Sequence, residues 1–271
     1  MKFMKLIFIV TLVTMFFLHD TCSAYQNPFV NDDNYIKVDE SDVFIMYLDK
    51  KSVQVKRYEP PIYEIFCDTP LFDKYAQRVL TGKYSNLIRY NYDTKQIWIF
   101  NRTQDKWYLQ DIYGVSASFR NVFNLVFYTA YNIYFYGTIS LERISIGGLR
   151  LGDTREKVKK IYGEPSSSVT KYVQMNEDYV ETWKYGDSLI LKFYHGYLNG
   201  IRVSKGSSLA TPDGLKVGMD ESMIQKVYGE PWVNNQRGFF PYSSLDKSCW
   251  LLIRTEDGII NTITVSYSWN F

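Results

Sequence analysis

Part of this chain is written twice, and that limits its possible folds more than any other feature. Gly148-Leu-Arg-Leu-Gly-Asp-Thr-Arg-Glu-Lys-Val-Lys-Lys-Ile-Tyr-Gly-Glu-Pro165 returns 66 residues later as Gly214-Leu-Lys-Val-Gly-Met-Asp-Glu-Ser-Met-Ile-Gln-Lys-Val-Tyr-Gly-Glu-Pro231. The copies also end alike, with Gly196-Tyr-Leu-Asn-Gly-Ile-Arg-Val203 matching Gly258-Ile-Ile-Asn-Thr-Ile-Thr-Val265 at an offset of 62. Duplication of one supersecondary unit explains both matches. It predicts tandem units in the second half, each burying its apolar face with its neighbour's help.

Each copy spells out a short helix. Thr154 and Asp220 can cap the first backbone N–H groups, just after Gly152 and Gly218. Val158, Ile161 and Tyr162 fall at i, i+3, i+4, as do Ile224, Val227 and Tyr228, which makes one apolar stripe per helix. Gly163 and Gly229 suit the left-handed position after the last turn, and Pro165 and Pro231 stop the helix. Glu181–Tyr185, Leu189–Phe193 and Leu198–Val203 then read as strands, and so do Trp250–Arg254 and Ile259–Val265. A helix of some nine residues does not persist alone in water, so its stripe must dock on that meander.

Residues 1–24 read as an export signal. Lys2 and Lys5 precede an apolar run from Leu6 to Leu18, and Cys22-Ser-Ala24 offers small residues for cleavage. The run is too short for a bilayer-spanning helix, so cleavage is favoured over retention as an anchor. Export makes a bond between Cys67 and Cys249 chemically allowed, while buried free thiols fit their apolar surroundings equally well. The chain has 31 Lys+Arg against 29 Asp+Glu, which argues against bulk nucleic-acid binding. Of its two His, His19 lies in the signal, leaving His195 alone. A His-based metal cluster is therefore excluded.

The repeated motif resembles the BamE/SmpA family of outer-membrane assembly lipoproteins. It is equally similar to the secreted β-lactamase-inhibitory proteins, which carry such a helix-plus-sheet unit in tandem. The likeness covers about residues 146–266. It implies an α+β fold, an envelope location and a binding role without catalysis. Two departures matter: His19-Asp20-Thr21 before Cys22 is no lipidation signal, and there are two copies rather than one.

Residues 25–140 read as a separate antiparallel β-rich domain, joined near 138–146 to repeat 1 (146–206) and repeat 2 (212–268). Tyr25 to Asp42 is polar and acidic, a flexible lead. Strands are predicted at Val43–Leu48, Val53–Lys56, Ile62–Cys67, Leu87–Tyr92, Gln96–Phe100 and Trp107–Tyr113. Residues 35–137 faintly resemble surface-adhesin E type domains. The uncharged run from Asn121 to Gly137 carries three Asn and predicts a buried helix, capped by Ser116 or Ser118, over the first sheet rather than a membrane helix.

Candidate chemistry is sparse. His195 lies at a hairpin turn whose counterpart, Thr255-Glu-Asp-Gly258, has no His. Asp32-Asp33, Asp39-Glu40 and Asp42 lack EF-hand spacing. Glu164 and Glu230 follow helix ends, where turn geometry accounts for their recurrence. The expectation is no cofactor, no metal and no catalytic residue.

Aromatic side chains point instead to a protein partner in the envelope or outside the cell, because Tyr and Trp dominate interface hot spots. Trp183, Tyr185, Tyr194, Trp232, Phe239, Phe240, Tyr242 and Trp250 are the expected contact residues, with Trp232 to Tyr242 as a loop carrying an apolar tip. The expected function is a non-catalytic exported binding protein. The alternatives are an inhibitor of a secreted hydrolase and a carboxylate-dependent enzyme acting on surface polymers.

Overall fold

A computed structural model describes residues 27–80, 84–174, 178–233 and 238–267. The expected signal, 1–24, lies outside the described residues. The chain divides between Tyr108 and Leu109 into two compact units. With 46% strand and 16% helix, it is mostly β. The expected α+β, BamE-like architecture is therefore overturned. Three antiparallel sheets dominate, and the repeat helices are only eight and seven residues long.

The first unit holds two sheets. β1 (Tyr35–Glu40), β2 (Phe44–Asp49), β5 (Leu71–Asp73) and β6 (Arg78–Val79) form one, in the order β1-β2-β5-β6. β3 (Gln54–Glu59), β4 (Ile62–Thr69), β7 (Tyr84–Asn91), β8 (Gln96–Asn101) and β9 (Lys106–Gln110) follow that order in the other. The acidic lead is not wholly flexible, since β1 lies within it. Asp39 and Glu40 pair there with Met46 and Ile45. Ile65, Cys67, Ile88, Tyr90 and Ile97 are buried on the five-stranded sheet, whose register sets Ile65 opposite Ile88 and Tyr90 opposite Ile97.

The second unit opens with helix α1 (Ala117–Tyr131). Ser116 caps it by accepting from the Phe119 N–H, and Asn132 closes it in the left-handed conformation. Residues 121 to 127 are buried without a break, the pattern of a helix enclosed all round. No described helix is long and apolar enough to cross a membrane.

Helix α2 (Arg155–Tyr162) and strands β10 (Ser167–Val173), β11 (Asp178–Tyr185), β12 (Leu189–Tyr194) and β13 (Tyr197–Ser204) make the first copy. Helix α3 (Ser222–Tyr228) with β14 (Phe239–Ser243), β15 (Trp250–Glu256) and β16 (Ile259–Ser266) makes the second. The expected loop from Trp232 to Tyr242 is corrected by β14; residues 234–237 fall outside the described set.

The copies share several hydrogen bonds at equivalent positions. The helix starts differ: Thr154 caps α2 by accepting from the Lys157 N–H, whereas α3 is preceded by Glu221 with no side-chain cap bond, and Asp220, the expected cap, accepts from the Ser222 N–H. Gly152 N donates to Leu198 O at 2.8 Å, and Gly218 N to Ile260 O at 2.7 Å. The Tyr185 hydroxyl donates to Gly163 O, and the Tyr242 hydroxyl to Gly229 O. Gly163 and Gly229 both sit at positive φ after the helix, with Pro165 and Pro231 two residues on.

One sheet joins the copies, in the order β10-β11-β12-β13-β16-β15-β14. The last strands of the two copies, β13 and β16, pair at its centre, with Ile201 opposite Val265 and Val203 opposite Ile263. Both helices lie against one face, where Val158 and Ile224, each fully buried, join Leu191, Phe193, Ile253 and Val265 in a single core. Burying side chains of that size is worth about 2 kcal/mol each.

Candidate functional site

Strand alternation separates the helix-facing residues of the large sheet from an outer set. Trp183, Phe240 and Tyr242 face the helices and belong to the core. Trp232 and Trp250 are also buried, in a second cluster with Leu252 against which Phe239 packs. The expectation that these side chains are exposed contact residues is therefore corrected for five of the eight. Trp183 is 3% exposed and Tyr242 fully buried. Trp183 and Tyr185 do share a face, but it is the inner one. Tyr185, Tyr194 and Phe239 are half-buried.

Trp183 is anchored by polar partners. Its Nε1 donates to Glu181 Oε1 at 2.6 Å, and the Arg155 guanidinium lies 2.6 Å from the other carboxylate oxygen. Ser168 donates to the same carboxylate. Burial pulls the Glu181 carboxyl upward, but the bonds from Trp183, Arg155 and Ser168 together outweigh it and hold it below the usual range. His195, largely exposed at the β12–β13 turn, has Nε2 3.0 Å from Asp178 Oδ2.

Cys67 and Cys249 are both buried, free thiols. Each sits in a different unit. Burial, reinforced by the neighbouring Asp68 charge, pushes the Cys67 thiol up to about 12. Burial also raises that of Cys249.

The outer face is where the copies differ. In the first copy it carries Lys171, Lys184, Lys192 and Arg202, and Arg254 extends the set onto β15. Register places them together: Lys184 opposite Ile190, Ile190 opposite Arg202, Lys192 opposite Thr182. Arg202 lies opposite Thr264, one strand from Arg254, which pairs with Thr262. From β10 to β15 the cations span about 24 Å at the usual strand spacing. Burial and the nearby Arg202 charge lower the affinity of Lys192 for its proton, and burial and Arg254 do the same to Arg202. Among the described residues of this face, the carboxylates lie at the ends: Asp178 beside His195, and Glu256 accepting from Asn261.

In the second copy the outer face is closed around Trp232 and Trp250, short of the exposed Arg254. The Trp232 and Trp250 rings pack at 6.3 Å, and Trp232 Nε1 donates to Ser243 Oγ at 2.7 Å. Arg120 of α1 donates to the Trp232 carbonyl and lies over its ring, with Lys247 also 5.2 Å from that ring. Ser243 N donates to Gly137 O, Ile139 N to Ser243 O, and Trp232 N to Pro241 O, so residues 137–139 and Trp232 together cover the β14 edge. Gly137 is required there: its φ is +78°, and a Cβ would fall 2.4 Å from Trp232 N.

This basic row escaped sequence reasoning because its members come from five strands. The available signal was a single cation at the polar beat of an apolar strand, as in Leu189-Ile-Leu-Lys-Phe193. No family model, no curated protein and no solved structure matches this chain.

Proposed function

We propose that the chain is an exported, non-catalytic binding protein that contacts a protein partner through the sheet of its tandem repeat. The observation that carries this reading is the asymmetry of the outer face. One half is sealed by its own Trp232 cluster, and the other presents a broad polar surface crossed by a row of cations. Protein interfaces commonly combine such complementary charge with a rigid scaffold. The leader-like N-terminus and the BamE-type motif support a place in the cell envelope or outside the cell.

The test is site-specific photo-crosslinking in the cells that make the protein. A photoreactive residue replacing Arg254, exposed on the outer face, should give a discrete protein adduct. The same residue replacing Lys160, exposed on α2, should not. Equal adducts from both positions, or none from position 254, would remove the basis for the reading.

A further inference from the structure

The large sheet has two edges, and they are treated differently. The β14 edge is covered by residues 137–139 at Ser243 and by the Trp232 N–H at Pro241. The β10 edge closes the strand order with nothing described beyond it. β10 is seven residues long, pairs with β11 in unbroken register from Ser167 to Val173, and is exposed at every position but the last. It contains no Pro and no bulge. Proteins usually blunt such an edge, because its outward N–H and C=O groups template another strand.

The charge beside this edge selects among occupants. Lys171 lies on the outer side of β10, and Lys184 lies on the same side of β11. A second copy paired antiparallel through β10 would add an equal set of cations to that face, so like charge disfavours self-association. An acidic strand would meet no such penalty.

We propose that β10 is an acceptor edge: an extended acidic segment of the protein partner adds beside it as an eighth strand, its alternate carboxylates facing Lys171 and Lys184. Main-chain bonds would supply affinity and the cations would set sequence preference, the division of labour found in strand addition. The inference rests on the reading of this sheet as a docking surface and narrows the partner to one with an acidic extended segment.

The probe is a fluorescein-labelled ten-residue peptide alternating Glu with Val or Thr, titrated by anisotropy onto the full exported chain. Two controls keep charge constant: the same residues with all Glu gathered at one end, and the alternating peptide N-methylated at every second amide. The alternating peptide should bind at least tenfold tighter than either control. The double variant Lys171→Glu, Lys184→Glu, with a wild-type melting temperature, should lose at least tenfold in affinity. Equal binding of all three peptides would reduce the effect to bulk charge and overturn the proposal. So would undiminished binding by the double variant, no binding at all, or a dimer in light scattering that Lys171→Glu abolishes. Should the adduct from position 254 persist while the peptide fails, the docking surface stands and the acceptor edge falls. Loss of both removes both.

Discussion

The two copies of the repeat have kept one face and diverged on the other. On the inner face, equivalent positions still do equivalent work: Val158 and Ile224 anchor the helices, and Tyr185 and Tyr242 tie off their last carbonyls. On the outer face, position 166 of the first copy is an exposed Ser, and its counterpart 66 residues on is the buried Trp232. The first copy goes on from there into β10, whereas after the second the sheet edge is occupied by residues 137–139. The shared core constrains only what touches it. The outer face was free to become a seal in one copy and an open cationic surface in the other.

Substitution at the two equivalent positions breaks this comparison most directly. Trp232→Ala should cost about 4 kcal/mol by urea denaturation, from lost apolar burial and the cavity left behind. Ser166→Ala, which loses bonds to Lys184 O and from Gly186 N at an exposed site, should cost at most about 1 kcal/mol. Comparable losses would show that the seal is not confined to the second copy.

Gly137→Ala should cost about 3 kcal/mol, combining a strained φ with overlap on the Trp232 backbone. An unchanged urea midpoint would mean the sealed edge tolerates a wider spacing. Asn124→Leu should act in the opposite direction. Asn124 is 1% exposed, and among the described residues neither side-chain amide atom has a hydrogen-bond partner. Replacement by an apolar residue of similar size should raise stability by about 1 kcal/mol. A fall would place an unseen partner on that amide.

The smallest effect concerns Glu181 and depends on pH. Its folded pKa lies below the ordinary Glu value, 4.5, so its contribution is fully present above that value. It is lost as pH falls through the depressed folded pKa. The wild-type melting temperature should therefore drop more steeply below pH 4.5 than that of Glu181→Gln. Parallel profiles would show that the Trp183–Glu181–Arg155 group contributes nothing specific to the first copy.

Legibility followed the range of the interactions. Local chemistry could be read from sequence: Thr154 at the start of α2, Gly163 and Gly229 at the helix ends, and the strands between, though Asp220 stands one residue ahead of the position that precedes α3. The pairing of β13 with β16 could not, because no residue pattern encodes which strand meets which across 60 residues. The α+β expectation gave two short helices the same weight as seven strands. The aromatic site failed for a related reason. Alternation shows that Trp183 and Tyr185 share a face, but only the docked helix decides that the face is the buried one. The cations were hidden because Lys184, Lys192 and Arg202 become neighbours through register alone.

The central β13–β16 pairing makes the copies interdependent. Neither half can open without stripping the other of main-chain bonds along its innermost strand, so the two should melt together although each is a complete copy of the unit. Amide exchange should accordingly be slowest at Ile201, Val203, Ile263 and Val265. It should quicken strand by strand toward the exposed rim at β10.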